Sequence, residues 1–459
     1  MPDQTIPEQT APDQAVPEQA VPEQAWPPAR VGIYATVILT LAYTFSFVDR
    51  QVLNLLVEPI REDLGLSDTS ISFLQGLAFV IPYVLMSVPI GRLVDTFNRI
   101  VVLIGGVLAW SAATFACGLS GTYAQLLAAR MGVGAGEASV TPAAWSLLAD
   151  YFPPDRLARP VSFYLMGPYL GAGLALIGGA YVIDWVGETG RVALPLVGEM
   201  AAWQVTFMAV ALPGILLAAL LATLPDPPRR QVAGVVPAAP GWSEVLRFVR
   251  SEWRIYVAVL LGVPFLVVIL YGLQAWVPTI LVRVYGWSLA DAGRIYGTIA
   301  LLAGSLGVLS GPIAGSWLER RGHADFPLRL GAYAAVAVVL AMGSLPWQTS
   351  GAGALVCVAL ASYFVTLPLA LMAYVTQMVT PNTMRGVLAG LYVVCTNVIG
   401  LGLGPTLVAV TTDYVVGDPA RVHVSLTLVT LVVAPVALVL MISGMAAFRV
   451  WHARFAAGA

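Results

Sequence analysis

Long apolar runs separated by short polar stretches make up most of this chain after residue 30. A helix needs roughly 20 apolar residues to cross the hydrocarbon core of a membrane, whereas a strand of an outer-membrane barrel has about 10 alternating residues. The runs here are continuous and rich in Leu, Val, Ala and Gly. They predict an all-α membrane protein of twelve transmembrane helices. In order, we expect these segments at 31–57, 70–91, 99–119, 123–149, 159–186, 203–224, 254–284, 289–316, 328–346, 351–379, 385–413 and 422–451.

Composition indicates a surface that faces lipid. Hydrophobic residues are 58% of the chain and charged residues only 10%, where soluble domains average about 25% charged. The net charge of −2 does not indicate a nucleic-acid partner. The three cysteines lie in apolar runs without C-x-x-C spacing, and the three histidines are far apart. We therefore expect no disulfide framework, no metal site and no cofactor.

The polar stretches divide the chain into four parts. Residues 1–29 repeat a five-residue unit, P-[ED]-Q-x-x. Because proline at this density blocks helix and strand, we expect a disordered acidic tail. The longest later interruption, 225–252, contains clustered prolines and arginines and then an amphipathic piece at Ser243–Arg250. This interruption predicts a cytoplasmic linker between two six-helix bundles, at 30–224 and 253–459.

Arginine supplies every positive charge in the chain, which has no lysine. If the N-terminus is inside, sixteen arginines flank the inner ends of the segments and five flank the outer ends. Positively charged residues accumulate on the cytoplasmic side of membrane proteins. We therefore expect both termini in the cytoplasm and a multi-pass protein in the inner membrane of a bacterium.

The two halves share short landmarks at a nearly constant offset. Gly65–Asp68 has a counterpart in Gly286–Leu289, 221 residues later, and Gly91–Asp95 has one in Gly315–Glu319, 224 residues later. Self-similarity at a fixed period indicates repeated structural units. The offset therefore predicts that a six-helix unit was duplicated.

The stretch G-R-L-V-D-T-F-N-R at 91–99 resembles the signature loop between the second and third helices of the major facilitator superfamily. It departs from that pattern at Thr96, where a basic residue is usual, and at Asn98, where glycine is usual. Within the superfamily, three runs resemble the spinster-like branch, at 47–54, 58–68 and 130–138. The resemblance implies two bundles around a central cavity that opens to each side in turn. Spinster relatives in animals are linked to sphingosine-1-phosphate and lysophospholipid export.

Few ionisable side chains lie inside the predicted segments, where each costs roughly 2.5–3.5 kcal/mol on insertion scales. The first segment carries Asp49 and Arg50, and the fourth carries Arg130 and Glu137. The last two are seven residues apart, so they share one helix face at a separation of about 10 Å. Because the first and fourth helices line the cavity in this superfamily, we expect the four side chains to form one charged cluster.

This cluster predicts proton coupling through Asp49 or Glu137. Desolvation raises the pKa of a carboxyl group and a nearby arginine lowers it, so the two effects can balance near neutrality. Alternating access would then change the solvation of the group and load or release its proton. Two alternatives stay open, a permanent salt-bridge cluster and direct recognition of substrate charge. In the second, Arg50 or Arg130 would hold a phosphate or carboxylate.

The second half has no ion pair at the matching positions, which are Leu270 and Tyr271. Its segments offer aromatic and amide groups instead, and such a cavity suits an amphipathic substrate with a polar head. Each of these residues could equally face lipid or satisfy buried backbone. The candidate cavity-lining residues are Tyr83, Tyr164, Tyr169, Tyr271, Gln274, Trp276, Tyr374, Gln377 and Asn397.

The signature loop is expected to act as a gate at the cytoplasmic end, through Gly91, Asp95, Arg99 and Asp150. We expect Asp95 to accept hydrogen bonds from the start of the eleventh segment, where the helix dipole favours an anion. Arg99 is expected to pair with Asp150. These contacts would stabilise the state that opens to the outside.

The sequence thus predicts a proton-coupled secondary transporter, and a monomer, whose partners are membrane lipids, protons and a small amphipathic substrate. A proton-coupled carrier of a small organic anion stays open as an alternative. An intramembrane enzyme is a remote alternative, because H-E-x-x-H, G-x-G-D and G-x-S-x-G motifs are absent from the sequence. An ATP-driven pump lacks a nucleotide loop, and a passive channel does not account for tandem halves with intramembrane charges.

Overall fold

The computed structural model describes residues 26–153, 156–187, 191–194, 198–229, 241–381 and 383–458. Most of the predicted tail, residues 1–25, lies outside this part of the chain. The first half contains α1 Ala29–Gln51, α2 Val57–Leu64, α3 Asp68–Gln75, α4 Leu77–Thr96, α5 Arg99–Leu119, α6 Tyr123–Glu137, α7 Val140–Tyr151, α8 Ala158–Tyr164, α9 Gly167–Val186, β1 Arg191–Leu194, β2 Gly198–Ala201, α10 Ala202–Ala211 and α11 Pro213–Leu221. The second half contains α12 Trp242–Ser251, α13 Trp253–Val257, α14 Val263–Tyr285, α15 Leu289–Arg320, α16 Phe326–Gly343, α17 Gly351–Thr366, α18 Leu369–Val379, α19 Arg385–Cys395, α20 Gly402–Val410 and α21 Val422–Gly458.

The predicted helical membrane architecture is confirmed. Within the described residues, eleven helices are long and apolar enough to cross a membrane. The predicted fourth segment is divided into α6 and α7 around Ala138 and Ser139, so neither piece reaches the length of a span. The count of twelve therefore stays a prediction.

The repeated landmark Gly65–Asp68 and its counterpart Gly286–Leu289 form the same local structure. Gly65 and Gly286 end their helices with φ of 63° and 68°, a left-handed conformation that glycine adopts without strain. Two residues later, Ser67 and Ser288 cap the next helix, each side chain accepting a hydrogen bond from the backbone N–H three residues on. The constant offset in the sequence therefore corresponds to the same turn in both halves, a left-handed glycine followed by a serine N-cap.

Small residues allow the helices of each half to pack closely. A Cβ added to Gly134 of α6 would lie 2.2 Å from the carbonyl oxygen of Phe79, and one added to Gly136 would lie 2.7 Å from the backbone nitrogen of Trp110. Backbone at this distance leaves no room for a larger side chain. The glycine-rich stretch of α6 therefore fixes its position against α4 and α5.

Two local structures lie between the predicted spans, a hairpin that was not predicted and the predicted amphipathic piece. An antiparallel hairpin of β1 and β2 precedes α10, with Arg191 opposite Ala201 and Leu194 opposite Gly198. The amphipathic piece of the linker is the helix α12, in which Val245 is buried while Leu246 is exposed. Both features lie between predicted spans, where the hydrophobic pattern that located the spans carries little information.

The two ends of the molecule are distinct. We call the end with Phe97, Asp226, Glu252 and Asp325 the base, and the opposite end the far end. At the base, Asp325 accepts hydrogen bonds from Arg329 and Arg449. Burial opposes ionisation of Asp325, but these arginines hold the pKa of its carboxyl below the usual value. The pairing fastens α21 to the start of α16.

Candidate functional site in the first bundle and at the seam between halves

Arg50 of α1 and Glu137 of α6 form a buried ion pair. Nη2 of Arg50 donates to Oε2 of Glu137 over 2.7 Å, and the two side chains are 6% and 1% exposed. The Arg50 guanidinium also lies 4.1 Å from the ring centre of Phe79 and 4.3 Å from that of Phe47. Within the described residues, Nε of Arg50 and Oε1 of Glu137 have no hydrogen-bond partner. The pair therefore keeps hydrogen-bonding capacity for a further ligand.

Arg130 of α6 is fully buried and donates hydrogen bonds to backbone carbonyl groups. Its guanidinium donates to the carbonyl oxygens of Leu74, Asp49 and Arg50, at 3.3, 3.1 and 3.5 Å. These carbonyls belong to α3 and α1. Arg130 thus ties three helices together, and its donors point at protein atoms rather than into an open space.

Asp49 faces a different direction from Arg50, because successive residues of a helix point about 100° apart. It is 3% exposed and lies beside Trp110 and Thr114 of α5, with Glu137 nearby. Its Oδ1 has no hydrogen-bond partner in the part of the chain that the structure describes. The four charged residues are therefore neighbours, but the arginine–carboxylate pair is between Arg50 and Glu137 alone.

Two of the expected cavity-lining residues surround this pair from both halves. The ring centre of Tyr83 lies 5.8 Å from the Arg50 guanidinium, and Tyr271 of α14 lies beside the same group. Tyr271 also contacts Gly404, whose added Cβ would be 3.1 Å from its side chain. Arg50 therefore sits where an aromatic wall of the first half meets one of the second.

The other candidate lining residues do not lie together at Arg50. Tyr169 and Gln274 line a small cavity of about 10 Å³ between the halves, enough for roughly one water molecule. Tyr164 stacks on Tyr43 inside the first half, and Trp276 donates to the carbonyl of Pro405. Asn397 donates to its own helix, at Val393. Gln377 is exposed, and Tyr374 lines a separate pocket described below.

A chain of buried amides joins the halves at this level and was not found from the sequence. Gln51 donates to Gln274 across the seam over 2.7 Å, Asn54 donates to Gln51, and Gln75 donates to Asn54 over 3.1 Å. Gln75 also donates to the carbonyl of Ala275 over 3.4 Å. Gln274 was predicted as a cavity-lining residue, but Gln51, Asn54 and Gln75 carry no charge and did not stand out in apolar segments. The signal that could have located this chain of amides is the presence of polar side chains within three predicted spans, 31–57, 70–91 and 254–284.

The signature loop at the base is held within the first half. Arg99 is fully buried, pairs with Asp150 and donates from Nε to Asp226 over 2.8 Å. Arg229 donates to the carbonyls of Val94 and Phe97, at 2.6 and 2.7 Å. The linker residues Asp226 and Arg229 therefore belong to the loop structure, a role that the sequence motif did not indicate.

Asp95 and Gly91 do not take part in a contact between the halves in this structure. Asp95 is exposed, and a Cβ added to Gly91 would meet no atom within 4 Å. The expected hydrogen bonds from the start of the eleventh segment to Asp95 do not appear among the described residues. Nearby, α19 buries one residue of eleven, Leu388. The base is open between the halves.

The far end is closed by ion pairs between the halves. Arg283 of α14 donates from both Nη atoms to Asp68, at 2.6 and 2.7 Å, and from Nε to Glu58 at 2.5 Å. Burial outweighs the nearby arginines and raises the pKa of the Glu58 carboxyl. Thr69 donates twice to Asp413, and Arg294 pairs with Asp184. The structure is thus one in which the far end is shut and the base is open.

Comparisons with known proteins account for this architecture. The sequence profile described as Major Facilitator Superfamily matches residues 39–405. The chain belongs to the Major Facilitator Superfamily. An MFS-type efflux pump of Mycolicibacterium smegmatis is 31% identical over 302 residues, which are 63% of each chain. The mouse sphingosine-1-phosphate transporter SPNS2 is 24% identical over 82% of this chain and 69% of that protein. The match thus spans less than two thirds of the first relative's length.

A solved structure agrees with the fold. A bacterial homologue of the human lysosomal transporter spinster, in an inward-facing and unoccupied conformation, superposes with a TM-score of 0.75. It is 24% identical, and the alignment covers 93% of this chain and 98% of that one. Within the superfamily the chain is a spinster-like member, and the predicted resemblance is confirmed. It is a multi-pass membrane protein, and its relatives are transporters, which indicates that it is not an enzyme.

A second pocket lies at the base of the second half, away from Arg50. It has a volume of about 490 Å³, and we call it the side pocket. Its lining residues are Pro312, Ser316, Glu319, Phe326, Ala370, Leu371, Tyr374, Met378 and His452. These residues come from α15, α16, α18 and α21, so the pocket is formed within one bundle.

Proposed function

We propose that this superfamily member is a proton-coupled secondary transporter that works by alternating access on a lipid-like amphipath, of the lysophospholipid or sphingoid type. One observation carries the proposal: the buried Arg50–Glu137 pair, which retains an unsatisfied donor and an unsatisfied acceptor. The pair lies where the halves meet, with the rings of Phe79, Tyr83 and Tyr271 around the guanidinium, so a movement of the halves changes its surroundings.

The proton step follows from competition for Arg50. Burying a charge is costly unless the charge is paired and hydrogen-bonded. When Glu137 takes up a proton, its attraction for Arg50 falls, and the guanidinium becomes available to hold the anionic head of the substrate bidentately. Opening of the far end would hydrate Glu137, release the same proton there and restore its pair with Arg50; Asp49, buried beside Trp110 and Thr114, would be hydrated in the same step. Proton movement is thereby coupled to the change of state.

The amphipathic substrate is supported by the apolar surfaces at the open base. Leu85 and Val88 of α4, three residues apart on one helix face, are 65% and 69% exposed, and Leu391 and Val394 of α19, spaced in the same way, are 40% and 38% exposed. These side chains provide apolar surface below a cationic and aromatic head-group site at Arg50. The name of the mouse relative, a sphingosine-1-phosphate transporter, fits a phosphate head beside an arginine.

A small organic anion is the second candidate. This candidate requires no apolar surface for an acyl chain: Arg50 could bind its carboxylate beside the amide of Gln274, which is hydrogen-bonded to Gln51. The same proton step would apply. The candidates differ in whether an acyl chain must fit along the apolar surface of the base.

We propose the following setting for this activity. The protein is a monomer in the inner membrane of a bacterium, with its base in the cytoplasm, so the structure corresponds to an inward-open state. The two bundles at 30–224 and 253–459 rock about the seam and are joined by the linker at 225–252. The arginine-rich base and the inward-facing solved relative support this orientation.

Transport in proteoliposomes tests the proposal. Radiolabelled lysophospholipids, sphingoid phosphates and small dicarboxylates would be offered with and without an imposed pH gradient. We expect a lysolipid to move, to respond to the gradient, and to lose that response by at least tenfold in Glu137→Gln or Asp49→Asn. Asp184→Asn is the matched control, because Asp184 is an acid with a 45% exposed side chain at the far end. It should keep the response.

Two outcomes would contradict the proposal. Gradient-dependent transport that persists in both Glu137→Gln and Asp49→Asn shows that these acids are structural. Movement of dicarboxylates without any lysolipid, by a folded and monodisperse protein, favours the organic-anion carrier. Arg50→Lys separates pairing with Glu137 from binding of the substrate head group, since lysine keeps the charge but loses the bidentate geometry. If Arg50 binds the head group, the variant should keep its response to the pH gradient and bind the substrate more weakly.

A further inference from the structure

The side pocket is a ligand-sized site that the transport mechanism does not use. Its volume of about 490 Å³ lies within the range of roughly 300–1,000 Å³ typical of small-molecule sites. Phe326 and Leu371 are each 6% exposed and form an apolar floor, while Tyr374 is 52% exposed at its rim. Glu319 and His452 add polar groups. We propose that one proline repeat of the N-terminal tail docks in this pocket.

The tail has the chemistry that such a pocket accepts. The unit Pro-Asp/Glu-Gln occurs five times in residues 1–25, beginning at Pro2, Pro7, Pro12, Pro17 and Pro22. Proline fixes φ near −65° and favours the polyproline II conformation. Segments of this kind bind in grooves lined by aromatic side chains, at a low entropic cost. Tyr374 and Phe326, beside Pro312, provide such a surface in the side pocket.

Charge complementarity favours the same occupant. Residues 1–25 carry five acids and no basic side chain. Outside the pocket lining, exposed Arg320 and Arg321 directly follow Glu319, and exposed Arg454 lies two residues after His452. Arg321 lies over the ring of Trp317 and Arg454 lies 4.0 Å from Glu252. In each repeat the acid is followed by glutamine. The acid of a repeat would face the arginines, and the amide of its glutamine would donate a hydrogen bond to the Glu319 carboxylate. One repeat therefore offers a partner both to the positive groups and to the negative group of this region.

The tail is also long enough. A polyproline II chain extends about 3.1 Å per residue, so the third repeat, Pro12–Gln14, reaches roughly 40 Å from Trp26. Packed helices lie roughly 8–10 Å apart, so crossing four or five of them takes about 32–50 Å. A repeat near Pro7 or Pro12 can therefore reach the second bundle, whereas residues next to Trp26 cannot.

Disulfide cross-linking in the full chain tests the docking. The native cysteines Cys117, Cys357 and Cys395 are replaced by serine. Ala11→Cys in the tail is then combined with Ser316→Cys in the pocket or with Ser251→Cys, an exposed position on α12 at the same end. We expect oxidation to cross-link the pocket pair at least tenfold faster than the control pair.

Two additions make the result specific. A synthetic peptide of residues 1–25 should slow the pocket cross-link at least fivefold, and a scrambled peptide of the same composition should not. Tyr374→Ala should slow it similarly, with monodispersity checked by size-exclusion chromatography. Equal rates at Ser316→Cys and Ser251→Cys, or no effect of the peptide, would overturn the proposal. So would a slow pocket cross-link with a lipid retained at the site in native mass spectrometry, which would assign the pocket to lipid.

Discussion

Removing the Arg283 side chain should release the far end of the molecule. In the structure, Arg283 of the second half reaches two acids of the first half, Asp68 and Glu58, through three hydrogen bonds. Alternating access requires these bonds to break when the far end opens. Arg283→Ala removes them from the closed state and has no comparable effect on a state in which they are already broken.

The size of the effect follows from burial. Arg283 and Asp68 are 8% and 1% exposed, and loss of one partner of a buried ion pair costs roughly 3–5 kcal/mol. The lower value, about 3 kcal/mol, applies because Glu58 is 14% exposed and Arg61 lies 3.5 Å from Asp68. Since 1.4 kcal/mol is a factor of ten, the population open at the far end should rise roughly 100-fold.

Accessibility of a cysteine at the seam measures that population. Ala275 is 1% exposed, and its carbonyl accepts a hydrogen bond from Gln75 of the other half. Ala275→Cys, in a chain whose native cysteines are replaced by serine, would be modified by a water-soluble thiol reagent in proteoliposomes. The rate of modification follows the open population, so Arg283→Ala should raise it by up to about 100-fold.

Arg294→Ala is the matched control. Arg294 also joins the halves at the far end, but it and Asp184 are 34% and 45% exposed, and exposed pairs contribute roughly 0–1 kcal/mol. Its effect on the rate should stay below about fivefold. A rise of less than threefold for Arg283→Ala, or equal rises for both variants, would show that burial of the ion pair does not hold the far end shut.

Two further predictions concern stability. Gly134→Ala should lower the free energy of unfolding by roughly 1–3 kcal/mol through overpacking, because its Cβ would lie 2.2 Å from the carbonyl oxygen of Phe79. Gly105→Ala is the control and should be neutral or stabilising, because its Cβ meets no atom within 4 Å. Thermal unfolding of the two variants in detergent measures the difference. Asp325 has a lowered folded-state pKa, so its pairing with Arg449 stabilises the fold above the unfolded value of about 3.9 and is lost as pH falls through the folded value. The difference in melting temperature between wild type and Asp325→Asn should therefore narrow below about pH 4, and a constant difference from pH 3 to 7 would contradict it.

The sequence alone determined the helical membrane class and the family, because both depend on local features. The length and composition of an apolar run decide whether it can cross a membrane, and the stretch 91–99 is a contiguous motif. The spacing of Arg130 and Glu137 indicated a shared helix face in the same way. The turns at Gly65 and Gly286 could be matched because both require the same left-handed glycine.

Tertiary structure decided which partners these residues meet. The rotation of α1 sends Asp49 toward α5 and Arg50 toward Glu137, and the sequence pattern of a uniformly apolar helix does not reveal its rotation. Arg130 proved to be bound by backbone carbonyls, which no side-chain motif encodes. The pairing of Arg283 with Asp68 joins positions 215 residues apart and exists only where the halves close, so it depends on the conformational state as well as the fold.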